Sequence, residues 1–133
     1  MILLDLKYPK FVLQNQIMQK DSFPKFKALV KKSNNIVIVT HYNPDGDAMG
    51  SSLALYNYLI KTGKSVTVIT PNDYPEFLRW LPGNKKVVEF NTNQKKAATI
   101  ISKSDLIFTL DFNNYSRLEG LGELLQNSTA KKI

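Results

Sequence analysis

The densest chemistry in the chain is the run His41-Tyr42-Asn43-Pro44-Asp45-Gly46-Asp47-Ala48-Met49-Gly50-Ser51, where an imidazole and two carboxylates fall within seven residues. Hard divalent cations prefer oxygen donors, and one imidazole tilts the preference from Ca²⁺ towards Mn²⁺, Fe²⁺ or Zn²⁺. A fourth donor, Asp111, ends the apolar run Leu106-Ile107-Phe108-Thr109-Leu110. Three carboxylates and a histidine converging on one point would need a cation to neutralise them. The chain has no cysteine, which excludes disulfides and thiolate sites and leaves His, Asp and Glu as ligands. Each residue also has a plainer reading. His41 could be a surface or core residue, Asp45-Gly46 an ordinary turn pair, Asp47 a helix cap, and Asp111 a cap or a turn with Asn113 and Asn114.

The backbone around this run carries its own expectations. Pro44 should hold Asn43 extended. Gly46 should let the chain turn sharply between the two aspartates and permit close approach to a ligand. Asp47 stands at the N-cap position of a following helix, facing its positive end. Gly50 should leave room for close helix packing.

Position gives the run its weight. Ile36 to Thr40 is a continuous apolar, β-branched run, as expected of a parallel strand buried on both faces. Ala48 to Lys61 reads as a helix with Met49, Leu53, Tyr56 and Ile60 on one stripe, ended by Gly63. Further strands are expected at Ser65–Thr70, Lys86–Phe90 and Asp105–Leu110, and one beginning at Lys131–Ile133. Helices are expected at Phe23–Lys32, Gln94–Ser102 (Ala97, Ala98 and Ile101 inward) and Leu118–Leu125, with a short one at Tyr74–Trp80. The stretch to about Lys20 is mixed and unassigned. Strands alternating with helices predict an α/β fold, a doubly wound parallel sheet with helices on both faces and right-handed crossovers. Sites in such sheets lie beyond the carboxyl ends of the strands, where His41–Asp47 and Asp111 stand.

Composition bounds the class. Of 133 residues, 43% are hydrophobic and 22% charged, which suits one globular domain. No apolar run approaches the roughly 20 residues of a membrane helix, and the opening lacks the basic start and cleavage site of a signal peptide, so a cytoplasmic location without membrane partners is expected. The formal charge of +7 is almost all lysine, spread in small groups. It fits either a solvated surface or attraction to a phosphate-rich ligand. No Gly-rich dinucleotide fingerprint follows the first strand, and no P-loop is present.

The run Val39-Thr40-His41 through Ser51 resembles the first motif of the DHH phosphoesterases: a histidine, a short spacer, then Pro-Asp-Gly-Asp-Ala-x-Gly-Ser. It is especially similar to the branch of nanoRNases, oligoribonucleases that also dephosphorylate 3′-phosphoadenosine 5′-phosphate, and exopolyphosphatase-related proteins. Leu110-Asp111, with Arg117 six residues on, resembles the second motif. The resemblance runs from about Lys25 to the last residue. It implies that His41 and Asp45 hold one Mn²⁺, that Asp47 holds a second, and that Asp111 bridges both, with Mg²⁺ as the alternative ion. The paired ions would activate water and clamp a phosphoryl oxygen. Ser51 and Arg117 are candidates for phosphate contact, Arg117 equally for a surface charge.

The motif that names the family, Asp-His-His, is absent, for His41 is the only histidine. A further metal-binding aspartate and the C-terminal substrate-binding domain are absent too. The expectation is therefore a single metal-binding domain over residues 1–133, cut before the Asp-His-His motif and inactive alone. Short RNA or DNA, a nucleoside bisphosphate and a cyclic dinucleotide stand as substrates. The rivals are a non-catalytic or degenerate metal- or nucleotide-binding module and an unrelated α/β nucleotide-binding or phosphoacceptor domain.

Overall fold

The computed structural model describes residues 22–133. The chain divides into two units, Met1–Lys32 and Ser33–Ile133. The described part of the first is a helix, α1, over residues 22–32. Along it Phe23 stacks on Phe26, three residues away, with ring centroids 6.4 Å apart, and Lys27 Nζ lies 4.9 Å over the Phe23 ring. The unassigned stretch to about Lys20 lies outside the described residues.

The second unit is built on five parallel strands: β1 (Asn35–Val39), β2 (Ser65–Thr70), β3 (Val88–Glu89), β4 (Leu106–Thr109) and β5 (Lys131–Lys132), in the order β3-β2-β1-β4-β5. The helices are α2 (Gly46–Ile60), α3 (Gln94–Ser102) and α4 (Gly120–Asn127). Short 3₁₀ turns occupy Glu76–Leu78, Asn84–Lys86 and Tyr115–Leu118. Both faces of the sheet are covered, as an α/β doubly wound fold requires.

The apolar strands supply two cores. Odd-numbered Val37, Val39, Ile69 and Ile107 join Ala97, Ile101, Leu118, Leu121 and Leu125 in one buried cluster with α3 and α4. Even-numbered Ile36, Ile38, Val68 and Leu106 are equally buried and turn to the opposite face, against which α2 buries Met49, Leu53 and Leu59. The chain travels one way from β1 through β2 to β3, then reverses to β4 and β5. Keeping one crossover hand through that reversal moves the later helices to the other face.

The reversal places β1 beside β4, so the two strand ends that carry acidic and imidazole side chains are neighbours. Leu110 N donates to Val39 O at 2.9 Å, extending the β1–β4 pairing to the edge of the site. At the opposite edge the Asp105 carboxylate accepts from the backbone N–H groups of Asn34 and Asn35, fixing the register of the same pair.

Several local expectations shift. On α2 the stripe rotates: Leu59 is buried and Ile60 is exposed. Gly63, at φ 79°, ends the helix as its lack of a side chain allows. Gly50 faces open space, so close packing is not its role. The Tyr74–Trp80 segment forms a single 3₁₀ turn, and the helix read at Leu118–Leu125 breaks at Glu119, whose φ is 50°.

Candidate metal centre

His41 lies two residues beyond the end of β1, and its side chain is 7% exposed. Its Nδ1 lies 2.8 Å from the carbonyl oxygen of Tyr42. A carbonyl can only accept, so Nδ1 carries a proton and donates it. In the neutral ring Nε2 then presents a bare lone pair. That nitrogen lies 3.5 Å from Asp111 Oδ2 and 4.0 Å from Asp45 Oδ2. Three acceptors thus face one another with their ligand atoms all within 4.8 Å. Such a set needs positive charge among its members, carried by a second proton on the imidazole or by a bound cation.

The loop that carries these groups is fixed at several points. Tyr42 N donates to Arg117 O at 2.7 Å, which ties the segment after β1 to the turn after β4. Asn43 is not extended: it lies in the left-handed region at φ 54°. Asparagine tolerates that region, and two reciprocal bonds hold it there, Asn43 N to Asn72 Oδ1 and Asn72 Nδ2 to Asn43 Oδ1, each 2.7 Å. Pro44 is buried.

The N-cap of α2 is Asp45 rather than Asp47. Its Oδ1 accepts from Asp47 N at 3.1 Å and Ala48 N at 3.0 Å, leaving Oδ2 towards His41. The hydrogen bond from Ala48 N is the main reason that Asp45 titrates below its ordinary 3.8; loss of hydration opposes this, and the nearby His41 reinforces it. A lowered folded-state value means that the cap is fully effective above pH 3.8 and fails as the pH falls through that lower value. Asp45 therefore has separable roles. Asp45→Ala, which removes both, should lower the melting temperature of the metal-free chain by a few degrees, whereas Asp45→Asn should keep the cap and the stability but lose metal affinity. Melts of both variants with and without Mn²⁺ test this; equal stability of the two without metal would rule out the cap.

Asp111 stands beyond β4 at φ 63°, a left-handed position unusual for aspartate. The turn it starts aims its carboxylate back at the imidazole, and its side chain is 35% exposed. Asp47 lies in the first turn of α2, exposed and outside the group of three. Ser51 Oγ donates to the carbonyl oxygen of Asp47 at 2.7 Å, one helical turn back. Arg117 lies in the Tyr115–Leu118 turn, exposed, and its guanidinium makes no ion pair among the described residues. The structure thus brings His41, Asp45 and Asp111 together and leaves Asp47, Ser51 and Arg117 around them.

The donor set fits a divalent cation. Donors each about 2.1 Å from one ion stand roughly 3.0 to 4.2 Å apart for angles between 90° and 180°. The two separations from His41, 3.5 and 4.0 Å, fall inside that window, and all three ligand atoms lie within 4.8 Å, so a small closure of the two carboxylates completes the fit. One nitrogen with two carboxylate oxygens suits Mn²⁺, Fe²⁺ or Zn²⁺ better than Ca²⁺.

Beside the centre is a cleft of about 400 Å³ lined by Asn43, Pro44, Asp45, Asp73, Pro75 and Phe77. Its far wall is the segment after β2, which the sequence reading did not include in the site. The available signal was an aromatic, Phe77, on a turn beyond a strand's carboxyl end.

The chain is similar to known proteins. The family model described as DHH family, N-terminal domain, matches residues 35–133. The bifunctional oligoribonuclease and PAP phosphatase NrnA of Thermus thermophilus is 40% identical over 67 residues, covering 50% of this chain and 20% of that protein. An exopolyphosphatase-related protein from Bacteroides fragilis has a solved structure that matches with a TM-score of 0.81 at 39% identity, over 82% of this chain and 32% of that one. The chain spans about one fifth of the first and about one third of the second.

Proposed function

We propose that this chain, which belongs to the DHH family of phosphoesterases as its N-terminal domain, holds Mn²⁺ through His41, Asp45 and Asp111 and takes part in hydrolysing phosphate esters of short oligonucleotides or nucleoside bisphosphates. The observation that carries this reading is the convergence of His41 Nε2 with two carboxylate oxygens, 3.5 and 4.0 Å away, while Nδ1 is engaged by the Tyr42 carbonyl. The nucleotide substrates are supported by the name of the Thermus thermophilus relative, an oligoribonuclease and PAP phosphatase.

Bound cations would supply Lewis acidity, lowering the pKa of a water and neutralising a phosphoryl oxygen. The chain's own residues do the positioning. The Tyr42 carbonyl fixes the tautomer and ring orientation of His41, as the outer partner of a ligating histidine does. The α2 N-terminus orients Asp45 and keeps it ionised. Asp47 would serve a second ion from the first turn of α2, and Asp111 would serve both. Arg117 would meet a phosphate oxygen with its guanidinium; its backbone carbonyl accepts from Tyr42 N, next to His41. Ser51 is a weaker contact, because its hydroxyl hydrogen is engaged by the helix.

Three donors do not complete the coordination of even one ion, and two-metal chemistry needs both ions held in fixed geometry. The 133-residue chain alone should therefore turn over little or nothing, and a protein extended to its relatives' length should act with Mn²⁺ in the cytoplasm. Hydrolysis of an adenylyl dinucleotide by both forms, with Mn²⁺ and with a chelator, tests the reading. Metal-dependent turnover only in the longer form is expected. Robust chelator-sensitive turnover by the short chain would show that its own donors suffice, and no metal-dependent turnover in either would overturn the function.

A further inference from the structure

We infer that the cleft beside Asp45 is a nucleobase subsite, with Phe77 as its stacking platform. The inference deepens the proposed function by assigning the substrate a base at this position, and it rests on that reading for the phosphate end. Phe77 is 72% exposed, an unusual state for a phenylalanine on a short turn. The turn that carries it is anchored by its neighbours. Its neighbour Leu78 is 6% exposed, and a Cβ on Gly46 at the start of α2 would lie 3.9 Å from Leu78 Cδ2. Arg79 Nη2 bonds Asp73 Oδ1 at 2.6 Å and Arg79 Nε bonds Glu76 Oε2 at 2.5 Å, while the guanidinium lies 4.9 Å over the Tyr74 ring. A platform carried on an anchored turn loses little backbone entropy when a base stacks on it.

The lining identifies the class of occupant. Exposed Pro75 and Phe77 offer flat apolar surface, and Asn43, Asp45 and Asp73 offer polar groups. No lysine or arginine lines the cleft, and two carboxylates do, so a run of phosphates would be repelled there. A purine or pyrimidine fits: its face can stack, and its exocyclic N–H can reach Asp73 Oδ2, since Tyr74 N and Arg79 both engage Oδ1. Asp45 lines this cleft and also belongs to the metal group, so the base would lie next to the phosphate being cleaved.

Calorimetric titration of the chain in Mn²⁺ with AMP and with ribose 5-phosphate tests the subsite. The wild type should bind AMP at least about fivefold more tightly, the low end of base–aromatic stacking. Phe77→Ala should reduce the two affinities to the same value, and Phe77→Tyr should keep the preference. Equal affinities in the wild type, a preference that survives Phe77→Ala, or no AMP binding at millimolar concentration would each overturn the inference. The Mn²⁺-induced rise in melting temperature, measured on the same proteins, separates the two readings. If the rise persists in Phe77→Ala while the base preference fails, only the subsite is lost; if the wild type shows no rise, the metal reading fails by itself.

Discussion

Replacing Asp111 with asparagine is expected to remove the rise in melting temperature that Mn²⁺ gives the wild-type chain. A cation that binds only the folded chain stabilises it by RT ln(1 + [L]/Kd), about 1.4 kcal/mol at tenfold excess over Kd. For a domain of this size that is a shift of several degrees. Asparagine suits the test because it tolerates the left-handed conformation of position 111 and nearly matches aspartate in volume. The lost response therefore reports the missing charge rather than a broken turn. An equal Mn²⁺ shift in both proteins would exclude Asp111 from the site.

Asp47→Asn should separate binding from turnover. Asp47 lies outside the three-donor group, so the Mn²⁺ shift of the 133-residue chain should survive its neutralisation. The second ion would lose its support, and small misplacements of reacting groups cost on the order of 100-fold in rate. In a protein extended to its relatives' length, Mn²⁺-dependent hydrolysis should accordingly fall by at least about 100-fold. Steady-state rates of both forms, read beside the melts, decide the matter. Retained turnover would contradict the second-ion role, and a lost melting shift would move Asp47 into the first site.

Much of this was legible from local pattern. β2 and α3 lie at the bounds their residues predict, Ser65–Thr70 and Gln94–Ser102, because Pro71 stops the strand and alanines with Ile101 mark one helical face. The rest depended on contacts distant in sequence. Asn43 escapes the extended state that Pro44 favours because Asn72, 29 residues away, supplies both halves of an amide pair. The cap falls on Asp45 because α2 begins at Gly46, two residues before the first apolar position. Ile60 turns outward because the α2 stripe follows the sheet, which Leu59 meets instead. The exposure of Phe77 was the least legible: an aromatic on a turn beyond a strand end was visible, but an apolar residue in a short run suggests a core, and only the folded chain leaves it exposed in the cleft with Asp45.

The most direct test is an anomalous diffraction map from crystals of the chain soaked in Mn²⁺. One peak is expected among His41 Nε2, Asp45 Oδ2 and Asp111 Oδ2, about 2 Å from each, with the imidazole still donating Nδ1–H to the Tyr42 carbonyl. A map with no peak at these three atoms, or with Mn²⁺ bound only at other carboxylates and His41 Nε2 unliganded, would contradict the metal centre.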